Sequence, residues 1–331
     1  MLIDEFLAPK TLIVSGKGGV GKTTVASALA LVAARQGRKV CVAEVDQKGT
    51  LPKLFSRGPL GYQPSELAPG LWGMNINPEE ALVEYLDVQY HMRRVAKIFT
   101  STHFLDYITT AAPGLKDILV LGKIWYLEQG RVTPGKHHDF DTIVVDAPAA
   151  GHMLSFLAAP MGLSDALRMG PVRRQADWLN EMLKDPKRSR VHLVTLPEEM
   201  PVSETLETAA ALESRLGIGA GVVFANAVYA NPFSADEEDD IVRLLADGKA
   251  DELSAAATGA NVRLDAEDLE ALTGYARFLT ARRSIQGTHL RKLRKGIAEP
   301  VVELPFLFNA GLTLPDVETL SDVIEEQVEA L

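Results

Sequence analysis

Residues 16–23 read Gly16-Lys17-Gly18-Gly19-Val20-Gly21-Lys22-Thr23, with Thr24 following, and fit the spacing of a phosphate-binding loop. Each residue type has a chemical reason to stand there. Glycine lets consecutive backbone N–H groups turn inward around phosphate oxygens. The start of the following helix adds partial positive charge. Lys22 can reach the β- and γ-phosphates of ATP, and the Thr23 hydroxyl suits Mg²⁺. The apolar run Thr11 to Ser15 precedes the loop and an Ala/Leu-rich stretch follows it, so a strand leads in and a helix leads out.

Two carboxylates have the right setting to serve this loop. Asp146 ends the run Asp141-Thr142-Ile143-Val144-Val145-Asp146 and reads as the acid that would hold Mg²⁺ through water. Asp46 closes Glu44-Val45-Asp46, after the strand Val40 to Val45, and could orient or deprotonate the attacking water. Ligands of open parallel sheets gather at the carboxyl ends of strands, which is where both acids fall.

The elements that must position these groups follow from the apolar pattern. Six strands are predicted: Thr11 to Ser15, Val40 to Val45, Asp141 to Asp146, Val191 to Leu196, Gly221 to Ala225 and Val301 to Leu304. They alternate with helical stretches, which implies an α/β fold with a mostly parallel central sheet flanked by helices. Roughly 95 residues separate the second and third strands, far more than one crossover needs. Most of that insertion reads as helix. Asn77-Pro78-Glu79-Glu80 is a helix start, and Leu82, Tyr85 and Leu86 recur on one face. After the third strand Val172, Ala176, Leu179 and Leu183 share another helical face. The two stretches, about 75–135 and 155–190, are expected to pair as a helical subdomain inside a single ATPase domain spanning 1–331. A last helix is expected near Pro315-Asp316, with Val317, Leu320, Ile324, Val328 and Leu331 on its apolar side.

Composition excludes several classes. A formal net charge of -10 argues against broad non-specific nucleic-acid binding. The basic run from Arg282 to Lys295 is read as a solvated helix face. No apolar run is long enough for a membrane span, and the start lacks the features of a secretory signal. One cysteine, Cys41, sits in an apolar strand, so a reducing, cytoplasmic setting is expected.

The form Lys-Gly-Gly-Val-Gly-Lys-Thr-Thr, with Lys17 as an extra lysine, resembles the deviant loop of dimeric ATPases related to MinD, ParA and nitrogenase iron protein. That resemblance implies that Lys17 reaches a partner's nucleotide across a dimer interface. The segment Asp146-Ala147-Pro148-Ala149-Ala150-Gly151-His152-Met153-Leu154 resembles the switch II signature of the ArsA-type ATPases. These include the arsenical-pump-driving ATPase and the ATPase that targets tail-anchored membrane proteins. Pro113-Gly114-Leu115 and Glu204-Thr205 are similar to further short signatures of that branch. The resemblance implies a Mg²⁺-dependent ATPase whose dimer, with itself or with a related chain, opens and closes to control a protein client. It implies that Asn226 hydrogen-bonds adenine, that Glu198 contacts the nucleotide, and that Pro305 and Phe306 lead into the adenine pocket. Gly151 and His152 would be switch residues.

Departures from the branch also matter. Asp46-Gln47-Lys48-Gly49 differs from the usual switch I, which points to slow or partner-dependent hydrolysis. A lone Cys41 offers neither the several thiolates a metalloid needs nor a Cys-x-x-Cys zinc site. His137-His138 is expected to be solvated, and Met153, Met161, Met169 and Met182 are read as core packing rather than a client groove. Two other readings stand beside the main one: a positioning ATPase resembling MinD or ParA, and a nucleotide-binding scaffold subunit that hydrolyses little.

Overall fold

The computed structural model describes residues 2–45, 49–90, 114–133, 136–137, 139–230, 250–259, 262–309 and 311–331. The expected Asp46 and its neighbours Gln47 and Lys48, together with Pro113, His138 and the side chain of His137, lie outside the described residues.

All six predicted strands form, within about three residues of the expected bounds: β1 (Thr11–Gly16), β2 (Val40–Glu44), β7 (Thr142–Asp146), β8 (Ser189–Thr195), β9 (Ala220–Val228) and β10 (Val301–Pro305). Two strands that the pattern does not announce, β3 (Ser65–Ala68) and β4 (Leu71–Asn75), extend the sheet at one edge. The order is β10-β9-β8-β1-β7-β2-β4-β3, parallel throughout except for the β3–β4 pair. The first part of the long insertion is therefore sheet rather than helix. The signal is weak because β3 is half exposed and polar, and Gly73 interrupts the run in β4. That glycine makes room: a Cβ there would lie 2.6 Å from Leu67 Cδ1. A small hairpin, β5 (Arg131–Thr133) and β6 (Lys136–His137), stands apart from the main sheet.

The strands of the interior are apolar at successive positions because both faces are covered. Along β1, Leu12 and Val14 face one core while Ile13 faces the other. The first core is closed by α2 (Lys22–Arg35) and the last helix, α11 (Leu314–Glu329). Val317, Leu320, Ile324 and Val328 of α11 are buried, as its spacing predicts. Leu331 lies past the helix and is exposed. Ser321 Oγ donates to the Ala28 carbonyl of α2 at 3.1 Å, and Arg35 pairs with Asp322 at 2.6 Å.

The second core carries the helical layer. It contains α4 (Pro78–Tyr90), α5 (Leu115–Glu128), α6 (Ala150–Ala166) and α7 (Pro171–Lys184), packed on one another. Asn77 caps α4 as its sequence suggests, with Oδ1 accepting from the Glu80 N–H at 2.8 Å. In α7, Ala176, Leu179 and Leu183 are buried, but Val172, in the first turn, is exposed. Met153 and Met182 are core residues and Met161 packs against them, whereas Met169 is exposed, so the core-packing reading fails for that one. Cys41 is fully buried, and burial pushes its thiol up to about 12. The remaining helices are α1 (Ile3–Phe6), α3 (Leu51–Leu54), α8 (Glu199–Ala211, extended by a π turn to Leu216), α9 (Ala250–Gly259) and the 31-residue α10 (Ala266–Gly296).

Candidate nucleotide site

The parallel register brings one end of every central strand to the same edge. Gly16 ends β1, Glu44 ends β2, Asp146 ends β7, and Pro305 ends β10. Between β1 and α2 the chain turns through Gly19 (φ +87) and Gly21 (φ +91), a left-handed backbone that only glycine adopts without cost. Gly16 is required for a different reason. A Cβ there would lie 2.0 Å from the Val194 carbonyl oxygen of β8.

The chemistry-bearing side chains of the loop converge. Lys22 is buried at the first position of α2, and its Nζ donates back to the Lys17 carbonyl at 3.3 Å, across the loop. Thr23 Oγ1 donates to Asp146 Oδ2 at 2.6 Å, so the hydroxyl and the carboxylate stand side by side. Two hard oxygen donors together suit Mg²⁺ rather than a softer metal. Thr24 is buried in the same turn. Ser15 Oγ donates to the Pro148 carbonyl at 2.7 Å, and the Ala147 N–H donates to Val14 at 3.0 Å. These bonds tie the segment after Asp146 to the loop strand. Gly151 and His152 follow on the exposed first turn of α6. His152 is near enough to Asp117 of α5 to favour that carboxylate, although burial outweighs it and raises the Asp117 pKa.

Lys17 takes a position its sequence does not announce. Its Nζ pairs with Glu204 Oε1 of α8 at 2.5 Å, with both side chains about one-third exposed. Glu44, two residues before Asp46, is buried, and its Oε1 accepts from the Thr50 N–H at 3.2 Å. Glu44 stands opposite Asp146 in the β2–β7 register. Glu198 is exposed beyond β8, at the start of α8.

At the other end of the site, Asn226 does not point away to an isolated pocket. Its Nδ2 donates to the Val20 carbonyl at 2.9 Å, and a Cβ on Gly21 would lie 2.3 Å from the same nitrogen. The amide thus packs against the underside of the phosphate loop. Beyond it an aromatic group forms where β9 and β10 end. Tyr229 and Phe306 stack with ring centroids 4.8 Å apart, and Phe308 meets Phe306 edge-on at 4.8 Å. Phe306 also donates its N–H to the Val228 carbonyl at 2.8 Å, which sets its place beside β9. Sequence reasoning anticipates Pro305 and Phe306 here but misses Tyr229 and Phe308. An aromatic residue just after each of two neighbouring strands is the signal that could have found them.

The basic run on α10 is largely the solvated face expected, with Arg282, Arg291, Lys292, Arg294 and Lys295 exposed. Within it Arg283 Nη1 donates to the Tyr229 carbonyl at 2.8 Å, Lys292 reaches Ser203, and Arg294 pairs with Glu303.

The residues at 9–177, which include the loop, Asp146 and the Gly151-His152 segment, match the family described as anion-transporting ATPase. The chain belongs to the ArsA-type ATPase family. It is 33% identical over 325 residues to ATPase BagA of Mycobacterium tuberculosis, covering 95% of this chain and 92% of that one. It is also 29% identical over 234 residues to a putative arsenical pump-driving ATPase of Halobacterium salinarum, covering 65% of this chain and 35% of that one. The arsenical pump-driving ATPase of Escherichia coli is 27% identical over 218 residues, covering 60% of this chain and 36% of that one. Among the described residues no helix is long and apolar enough to cross a membrane.

Proposed function

We propose that this ArsA-type protein binds and hydrolyses Mg·ATP, and that two subunits close around the nucleotide to do so. The convergence of Lys22, Thr23 and Asp146 at one strand edge carries the reading. Lys22 would meet the β- and γ-phosphates, and the loop N–H groups would cradle their oxygens. Thr23 and Asp146 would hold Mg²⁺, which when bound offsets the negative charge of the phosphates. Asp46 would orient or deprotonate the water that attacks the γ-phosphorus, with Glu44 the nearest other acid. The adenine would lie toward Asn226, Pro305 and Phe306, with Glu198 at the nucleotide's edge.

Lys17 would act on the partner subunit's nucleotide, neutralising charge as the bond to the leaving phosphate breaks. Within its own chain it is held by Glu204, so engagement in trans requires that ion pair to open. An exposed pair of this kind is worth about 0–1 kcal/mol, which makes it a weak hold that closure can break.

The helices α4 to α7 would form a subdomain that follows the nucleotide state and meets a protein client. They enclose a cavity of about 480 Å³ among the described residues, with Trp125 and Trp178 stacked 5.3 Å apart at its wall. A positioning ATPase of the MinD or ParA kind fits less well, because those chains lack the inserted helical layer.

Complementation tests the central claim. Lys17→Ala keeps its own Asp46, while Asp46→Asn still offers Lys17 to a neighbour. Each variant alone should turn over slowly, with the Asp46→Asn loss about 10²–10⁴-fold. Their mixture should recover up to about a quarter of the wild-type activity, because random pairing makes at most half of the dimers mixed and each of these has one complete site of two, read as steady-state phosphate release against mixing ratio. No recovery despite mixed dimers seen by light scattering would overturn action in trans. Turnover that appears only after a related chain is added would favour the reading as one subunit of a heterodimer.

A further inference from the structure

The β9–β10 pairing contains an irregularity at the site's far end. Ala225 pairs with Glu303, and Val228 pairs with Pro305. Three steps along β9 therefore match two along β10, so β9 carries one extra residue: a β-bulge holding Asn226 and Ala227. Ala227 has φ +57, a left-handed backbone that a residue with a Cβ rarely adopts. A bulge re-aims the side chains around it. Here the residue re-aimed is Tyr229, which stacks on Phe306, while Asn226 at the start of the bulge keeps its own hydrogen bond to Val20 of the phosphate loop.

Such a backbone persists only if its surroundings hold it. The holder is α10, whose Gln286 is buried. Gln286 Nε2 donates to the Ala227 carbonyl at 2.9 Å, and Gln286 Oε1 accepts from the Tyr229 N–H at 2.8 Å. One side-chain amide thus closes both free backbone groups flanking Val228, as a neighbouring strand would. One turn earlier, Arg283 donates to the Tyr229 carbonyl at 2.8 Å. Phe278 of the same helix meets the Tyr229 ring edge-on at 5.8 Å.

We infer that Gln286, supported by Arg283, is a positioning residue for nucleobase binding: it fixes the β9 bulge that presents Tyr229 and Phe306 to the base. This rests on the reading of the Asn226–Phe306 end as the adenine end. It adds that affinity for the base is set from α10, a helix that touches no phosphate-loop residue through these groups. The two bonds made by Gln286 have opposite polarity, so the residue type is specified. A glutamate would still accept from Tyr229 but would set a carboxylate oxygen against the Ala227 carbonyl.

Gln286→Glu and Gln286→Ala test this by equilibrium binding of Mg·ATP, Mg·GTP and Mg·tripolyphosphate to the full chain. Tripolyphosphate has the loop's ligand without a base. Loss of a buried hydrogen bond of this kind is expected to weaken ATP binding about tenfold in either variant and to narrow the ATP-to-GTP preference, with tripolyphosphate binding changed less than about twofold. Equal weakening of ATP and tripolyphosphate would mean that Gln286 only supports the fold, and would overturn the inference. So would unchanged affinity and unchanged base preference in a folded Gln286→Glu. Lys22→Ala, run alongside, separates the two claims: if it too leaves ATP binding intact, the nucleotide site itself is misplaced rather than its positioning residue.

Discussion

The proposed phosphate end and the proposed base end of this site are built by different means. At the phosphate end one short stretch of chain, Gly16 to Thr23, supplies turn, donors and ammonium, and a single strand end adds Asp146. At the base end the parts come from far apart: Asn226 and Tyr229 from β9, Phe306 and Phe308 from the exit of β10, and Gln286 and Arg283 from α10. The local design tolerates change elsewhere in the protein, since its backbone is set by its own glycines. The assembled design depends on long-range packing, which lets distant parts of the molecule act on it.

The comparison breaks most sharply at Lys22. Lys22→Ala removes the charge proposed to meet the phosphates and should weaken Mg·ATP binding about 100-fold by calorimetric titration. Because the loop glycines set the backbone, the variant should remain folded. Unchanged affinity would mean that the phosphate end is not where ATP binds. A smaller effect sharpens the boundary between the two ends. Asn226→Ala removes the amide that touches Val20, and ATP should bind about tenfold more weakly. Tripolyphosphate should weaken as well, because Asn226 braces the loop itself. A loss confined to ATP would assign Asn226 to the base end alone.

The smallest effect on nucleotide concerns the strand between the two ends. His192 of β8 is buried between Phe6 and Phe224, and its Nδ1 lies 3.3 Å from the Val222 carbonyl of β9. Gly221 leaves space for the ring, since a Cβ there would lie 2.7 Å from His192 Cε1. Burial lowers the His192 pKa from 6.5 to about 4. The folded state then binds fewer protons than the unfolded state between those values, so stability is full above 6.5 and falls as the pH drops toward 4. The loss from pH 7 to pH 5 should be about 2 kcal/mol, measured by urea unfolding. His192→Leu should flatten that slope. A slope identical to the wild type would place the titration in another group.

The same division explains what could be read from residues alone. The loop, Asp146, six strands and the capped start at Asn77 are legible because each is encoded within a few neighbouring positions. Edge strand β3 is not, because it is polar and half exposed, nor is β4, whose run a glycine interrupts. Nothing in an alanine at 227 signals a left-handed backbone, and Gln286 on a polar helix looks like a surface residue. The ion pair of Lys17 with Glu204 joins positions far apart in the chain, so no local pattern carries it. Asp46 falls outside the described residues, and its role stays an expectation for the kinetics.

The packing of α11 on α2 sets an order on the protein's assembly at the ribosome. The phosphate loop is made early, but the helix that begins with its lysine keeps one apolar flank open until α11 has been made. Val317, Leu320, Ile324 and Val328 then close that flank from the far end of the chain. Domains fold as units when their parts have emerged. A nascent chain therefore carries the phosphate-loop motif before it carries α11, and the apolar flank of α2 stays open to wrong partners until that helix has been made.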